Sequence, residues 1–259
     1  MSGNEERAMS VFEKAIAMYF NNTLDQKDPY FLRAGIISDL GKIIPGNKLE
    51  GKIKTYFSEY DKWPDAERKV FDFVSIGDPI LDLGAGAGKN CLYLQELGAK
   101  DVHAVDISSV ICEVMRKRGV IKVHKASMNE LDKERVFMLM SFGTILLMHN
   151  SIAQVGTLEK LKKLFSVINS ISLQGARIIA TIRNPLHEQT SCLFNRVFKK
   201  EEIVTETARI EWKKEIGEWF KFLMIPCYAF EKIAQENGWE IIFKTGIEST
   251  MYGVVLEKK

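Results

Sequence analysis

The period of the apolar positions changes along the chain. From Pro79 onward, short apolar runs alternate with amphipathic stretches, which predicts a mostly parallel α/β sheet. Ile80, Leu81 and Leu83, bounded by Pro79 and Gly84, read as a buried strand. Cys91, Leu92, Leu94 and Leu97 follow at helical spacing and Gly98 stops them. Residues 102–105 form a second strand closing at Asp106, residues 109–118 a helix stopped by Gly119, and residues 120–124 a third strand. The almost unbroken apolar run 142–148 predicts a central strand buried on both faces. Over residues 157–173, Leu158, Leu161, Leu164, Phe165 and Ile168 share a face opposite Lys160, Lys162 and Lys163, with Thr157 as the cap. Residues 176–182 make the fifth strand. Pro226 opens a further helix that Asn237-Gly238 ends, and residues 239–244 and 252–257 read as two closing strands.

The first 77 residues differ. Helical spacing predicts helices over 5–20, over 30–44 (through Phe31, Ile36, Ile37, Leu40 and Ile44), over 49–60 and from Pro64 to Gly77, with a polar loop over 21–29. These segments precede the first strand, so they are expected to cover one edge of the sheet as a helical cap, residues 1–77, beside a main domain over 78–259. Within that domain, residues 184–225 are too long for a strand-to-helix link. Ala208, Ile210 and Trp212 alternate with polar neighbours, and 217–223 reads as the hairpin partner. A hairpin inserted after the fifth strand would overhang the carboxyl ends of the strands, where open α/β sheets bind ligands.

Between the first strand and its helix stands Asp82-Leu83-Gly84-Ala85-Gly86-Ala87-Gly88-Lys89-Asn90. A dinucleotide fingerprint would carry glycine where Lys89 stands, and a phosphate-binding loop would carry Ser or Thr where Asn90 stands. An acid two residues before the first glycine is poorly suited to a pyrophosphate, because like charges repel, and well suited to a ligand with an ammonium group. Asp106 lies 22 residues after Gly84, near the roughly 20 at which βαβ units place a ribose-binding acid.

Composition narrows the partners. The chain has 259 residues, 46% of them hydrophobic, and a formal net charge of +2. Its basic clusters are scattered among acids, which does not suggest nucleic-acid binding. The four cysteines show no pair spacing and no metal spacing, as expected of reduced thiols. Residues 1–7 lack the apolar core of a signal peptide, and the longest apolar stretch, 136–148, is too short to span a bilayer. The expectation is a cytoplasmic protein without a metal, without a membrane contact and of open oligomeric state.

On residues 82–88 and on Val105-Asp106-Ile107-Ser108, the chain resembles the class I S-adenosylmethionine-dependent methyltransferases. The resemblance runs over roughly the last two thirds of the chain. It implies a doubly wound, mostly parallel seven-stranded sheet ending in an antiparallel hairpin. It also implies S-adenosylmethionine as cofactor, bound by Asp82, Gly84, Ala85, Gly86 and Asn90 around the turn, and by Asp106 and Ile107 at the ribose. Ser127 and Met128 would lie at the adenine, with Ser127 where the family usually places an acid. His149 and Asn150, at the end of the central strand, would lie near the transferred methyl, His149 as a general base and Asn150 orienting the acceptor. The Asn/Asp-Pro-Pro-aromatic run of base- and amide-methylating relatives is absent here. Tyr56, Tyr60 and Trp63 from the cap, Arg183 from the fifth strand and Trp212, Trp219 and Phe220 from the inserted hairpin are acceptor-binding candidates, as is Asn150. The implied reaction moves a methyl to an oxygen, nitrogen or sulfur, in a small molecule by preference. A protein or RNA acceptor, a non-catalytic protein on the same fold, and a dehydrogenase are the alternatives.

Overall fold

Ile80, Leu81 and Leu83 are fully buried, and the strand they form occupies the middle of a seven-stranded sheet. The computed structural model describes residues 6–22 and 29–259. Most of the loop expected over 21–29, and the polar start of the chain, therefore lie outside the described residues. The elements in chain order are α1 (Ser10–Phe20), β1 (Tyr30–Ile37), β2 (Ile43–Gly51), α2 (Asp65–Phe71), β3 (Ile80–Leu83), α3 (Lys89–Glu96), β4 (Val102–Asp106), α4 (Ser109–Arg118), β5 (Lys122–Lys125) and α5 (Arg135–Met138). They continue with β6 (Phe142–Leu147), α6 (Leu158–Ser170), β7 (Ser172–Arg183), α7 (Glu188–Phe194), β8 (Val204–Trp212), β9 (Glu215–Ile216), β10 (Phe220–Met224), α8 (Cys227–Glu236), β11 (Trp239–Thr245) and β12 (Met251–Lys258).

The main sheet runs β11-β12-β7-β6-β3-β4-β5. Strands β3 to β7 pair in parallel, while β12 runs antiparallel to β7 and to β11. After β5 the chain returns across β3 to form β6. The topology therefore switches between β3 and β6, and the ends of these two strands frame the crevice where such sheets bind ligands. Every residue of β6 is buried, as its unbroken apolar run requires.

The cap is not all helical. Residues 30–37 and 43–51 are strands, where helical spacing predicted a helix over 30–44 and the start of another over 49–60. Most of the apolar positions behind the first reading are exposed: Ile37 is 69% and Leu40 85% accessible. The side chains that β1 buries are Leu32 and Ala34, two apart, the period of a strand. The choice is made by a distant partner, since β1 pairs antiparallel with β8 of the inserted hairpin. Pro45 is accommodated because β2 is an edge strand. A second sheet, β10-β8-β1-β2 with β9 beside β8, thus joins the start of the chain to the insertion. Residues 53–57 and 60–62 form short 3₁₀ turns instead of a helix. Helix α1 lies within the helix expected over 5–20, and α2 starts after Pro64 as expected but ends at Phe71, short of Gly77.

Candidate active site

The chain leaves β3 into a turn held against the neighbouring strand. The amides of Gly84 and Ala85 both donate to the Val105 carbonyl, at 2.9 and 3.0 Å. Gly84 has φ +75°, and a Cβ there would come within 2.8 Å of Ser151 Cβ. Two independent constraints, the left-handed backbone and the close approach of the loop after β6, therefore demand glycine. The Asp106 carboxylate is fixed by backbone alone: Gly86 N–H donates to Oδ2 at 3.2 Å and Ser108 N–H to Oδ1 at 3.0 Å. Ser108, not Asp106, caps α4, through Ile111 N–H. Burial pushes the Asp106 carboxyl up to about 6 against those two hydrogen bonds. Asp82 is completely buried, with Oδ2 accepting from Asn90 Nδ2 and Cys91 Sγ. Burial likewise pushes its pKa up to about 6.

Two adjoining cavities open at the switch point. The larger, about 330 Å³, is lined by Gly84, Asp106, Ile107, Ser127 and Met128, with Ala8 and Met9 beside α1 and Trp219 and Phe220 from the inserted hairpin. The smaller, about 120 Å³, is lined by Tyr30, Tyr56, His149, Asn150, Ser151 and Arg183 among apolar side chains that include Phe12, Leu32, Ile210 and Phe222. Met9, Gly84, Asp106, Ile107, Gln154 and Phe220 line both, so the two spaces share a wall.

At the end of β6, His149 and Asn150 both take left-handed backbone, with φ 52° and 66°. Histidine and asparagine tolerate this region better than most residues. The turn is locked by neighbours on β7: Thr181 Oγ1 accepts from His149 N–H, Thr181 O accepts from Asn150 N–H, and Asn150 Oδ1 accepts from Arg183 N–H. His149 Nδ1 lies 2.9 Å from Glu67 Oε1, and Lys89 Nζ lies 2.6 Å from Glu67 Oε2. Burial opposes ionisation of Glu67, but His149 and Lys89 outweigh it and hold its pKa down at about 2. A carboxylate can only accept, so Nδ1 carries a proton, and in the neutral imidazole Nε2 is the acceptor.

The residues expected at the site divide into three groups. Gly84, Asp106, Ile107, Ser127 and Met128 come together in the larger cavity, and Gly86, Tyr56, His149, Asn150 and Arg183 in the smaller. Asp82, Ala85 and Asn90 line neither; they are buried behind the turn. Trp63 is only 3% accessible. Its indole donates to Ser58 O, and its ring packs with Tyr60, Phe71 and Tyr93, away from both cavities. Trp212 is also buried outside the cavity linings, because it faces the interior at the end of β8. Trp219 lines the larger cavity instead of the one that holds Arg183. Glu67, Tyr30, Met9 and Gln154 were not expected. Glu67 stands among polar positions of a short helix, and nothing in its local pattern separates it from a solvated acid.

The buried polar atoms fit S-adenosylmethionine. Asp82 Oδ1, Asn90 Oδ1 and Ser151 Oγ have no hydrogen-bond partner among the described residues, so the neighbourhood of the turn has spare acceptors for an ammonium group. The Asp106 oxygens each keep a free lone pair at the cavity wall, as a vicinal diol requires.

Residues 80–168 match the family model described as a methyltransferase domain. The fold is similar over 98% of the chain to a methyltransferase from Bacteroides fragilis crystallised with S-adenosyl-L-homocysteine, with TM-score 0.72, 24% identity and 96% of that chain covered. It is also similar to the CcbJ methyltransferase of Streptomyces caelestis, with TM-score 0.55 and 15% identity over 79% of this chain and 98% of that one. A third similar structure is the Burkholderia thailandensis 1,6-didemethyltoxoflavin-N1-methyltransferase, with TM-score 0.52 and 13% identity over 75% and 79% of the two chains. No curated protein matches the chain in sequence. The domain match over residues 80–168 and the seven-stranded sheet are thus similar to those of class I S-adenosylmethionine-dependent methyltransferases. Among the described residues, no helix is long and apolar enough to cross a membrane, and no His, Cys, Asp and Glu cluster could hold a metal.

Proposed function

We propose that this enzyme methylates an oxygen, nitrogen or sulfur of a small molecule bound in the smaller cavity, with His149 as the general base. The cofactor supplies a sulfonium that makes its methyl group electrophilic. The chain's residues supply alignment, dryness and a place for one proton.

The observation that carries this reading is the chain His149–Glu67–Lys89. Glu67 holds the Nδ1 proton of His149 and so presents Nε2 as the acceptor, on a side chain that lines the cavity. Lys89 holds Glu67 ionised. Tyr56 meets the His149 ring edge to face at 4.8 Å, which fixes its plane. Asp106 and Ile107 would receive the ribose, Ser127 and Met128 the adenine, and Gly84 and Gly86 the methionine part. Asp82, Ala85 and Asn90 act from behind the turn: they set its shape, and Asp82 sets its charge.

The size and cover of the smaller cavity support a small acceptor. It lies between the switch point and the second sheet, whose strands come from residues 30–51 and from the insertion. We therefore take residues 1–77 and 184–225 together as the acceptor-binding side of the domain over 78–259. The Burkholderia neighbour was crystallised with the small molecule 1,6-didemethyltoxoflavin bound, in keeping with this use of the fold. The near-balanced charge, +2 overall, gives no footprint for RNA.

The test is methyl transfer from labelled S-adenosylmethionine into a mixed extract separated into small molecules, protein and RNA. Label in the small-molecule fraction, abolished by Asp106→Ala, is the expected result. Label that follows protein or RNA would overturn the small-acceptor reading.

A further inference from the structure

Arg183 ends β7 and lines the smaller cavity with His149 and Asn150, and among the described residues its guanidinium has no counter-ion. Its Nε is buried and has no hydrogen-bond partner. The groups that act on it electrostatically are two phenols, Tyr30 and Tyr56. These phenols bond each other at 3.2 Å, and burial raises both pKa values, that of Tyr56 strongly, so both stay protonated. One proton serves the bond between them. The other is left to donate. The lining also includes two carboxylates, but neither neutralises this corner: Asp106 is engaged by backbone N–H groups, and exposed Glu50 makes no ion pair with Arg183. An unpaired cation in a largely apolar cavity is costly unless a ligand completes it.

Resting on the reading of this cavity as the acceptor site, we propose that the acceptor carries a carboxylate, received by the Arg183 guanidinium and the Tyr30–Tyr56 hydroxyl pair. A planar fork of N–H donors matches the two oxygens of a carboxylate, and the free phenol proton adds a third donor. Anchoring the acid there leaves the rest of the acceptor near His149, whose ring packs against Tyr56. Arg183 is thus a specificity residue that selects acids over their neutral counterparts and sets which atom faces the base.

The test uses protein saturated with S-adenosyl-L-homocysteine and four probes: benzoate, benzamide, acetate and phenylphosphonate. Thermal shift and calorimetric titration follow each in the wild type, Arg183→Met, Arg183→Lys and Tyr30→Phe. Saturable binding of a carboxylate, with benzamide weaker by about tenfold or more, is expected, as for loss of a charged hydrogen bond. Arg183→Met should abolish the preference, Arg183→Lys restore part of it, and Tyr30→Phe weaken it severalfold, all with the S-adenosyl-L-homocysteine affinity within about twofold of wild type. Four outcomes overturn the proposal: equal binding of benzoate and benzamide, a preference that survives Arg183→Met, phenylphosphonate bound in preference to both carboxylates, or no carboxylate binding at all. A large loss of S-adenosyl-L-homocysteine affinity in Arg183→Met also overturns it, assigning the guanidinium to the cofactor instead. A wild type that fails to bind S-adenosyl-L-homocysteine would strike the reading of the cofactor cavity, a failure separable from all of these.

Discussion

Glu67 Oε1 lies 2.9 Å from His149 Nδ1, although 82 positions separate the two residues in the chain. Helix α2 delivers one and the end of β6 the other, and Lys89 of the glycine turn closes the set from the far side of the carboxylate. Three segments that share no local pattern thus build one hydrogen-bonded set.

His149→Asn should lower turnover by roughly a hundredfold or more, the usual worth of a positioned base. Asparagine accepts the left-handed backbone of this position, so the fold should survive. S-adenosyl-L-homocysteine affinity should change little. A fully active variant would reduce His149 to a packing residue.

Glu67→Gln should remove the charge that holds both Lys89 and the His149 tautomer. Breaking this buried pair should cost about 3 kcal/mol in a denaturant titration, and turnover should fall about tenfold further than stability explains. The sign with pH follows from the depressed pKa. The stabilisation by ionised Glu67 is complete above its ordinary value of 4.5 and is lost as the pH falls toward about 2. The variant should lack this acid limb. An unchanged acid profile would show that the pair contributes nothing to stability.

Asp82 and Asp106 shift the other way. Both are raised from 3.8 to about 6 by burial, so the free protein retains their protons and loses stability as the pH rises from about 4 through 6. A ligand that engages the carboxylates must displace those protons. Affinity for S-adenosylmethionine should therefore climb between pH 5 and 7, by up to about tenfold per unit for each proton released, and level off above. Calorimetry across that range would detect it. In Asp106→Ala the climb should shrink, and affinity at pH 7.5 should fall by about 1.5 kcal/mol or more. A flat wild-type profile would argue that neither carboxylate meets the ligand.

Gly84→Ala should destabilise the turn by about 1–3 kcal/mol and weaken cofactor binding with it. The new methyl would sit 2.8 Å from Ser151 Cβ in a backbone at φ +75°. Adding Ser151→Gly should relieve the clash and leave the backbone strain. Full recovery in the double variant would show that the clash alone mattered.

Trp63→Ala should cost about 3–5 kcal/mol, as large aromatic truncations in a core do, without altering KM for the acceptor at a temperature where the variant is folded. A raised KM with unchanged stability would return Trp63 to the acceptor site.

The main sheet was legible because its signals are local. A strand buried on both faces, as β6 is, must be apolar throughout. The turn after β3 needs glycine for reasons that act within a few residues, and Asp106 is placed by the length of one βαβ unit. Those features determined the fold class and singled out Gly84 and Asp106, while the resemblance implied Ile107, Ser127 and Met128, which line the same cavity. The smaller cavity was not legible in that way. Residues 30–51 carry apolar positions compatible with either period, and only pairing of β1 with β8, nearly 180 residues later, makes them strands. That pairing brings Tyr30 to Tyr56 and Arg183. It takes α2 to bring Glu67 to His149, where the imidazole and Lys89 hold the buried carboxylate ionised. The sequence by itself determined the sheet and its glycine turn. The tertiary structure alone decided which side chains surround the smaller cavity, because their energies depend on neighbours that are distant in the chain.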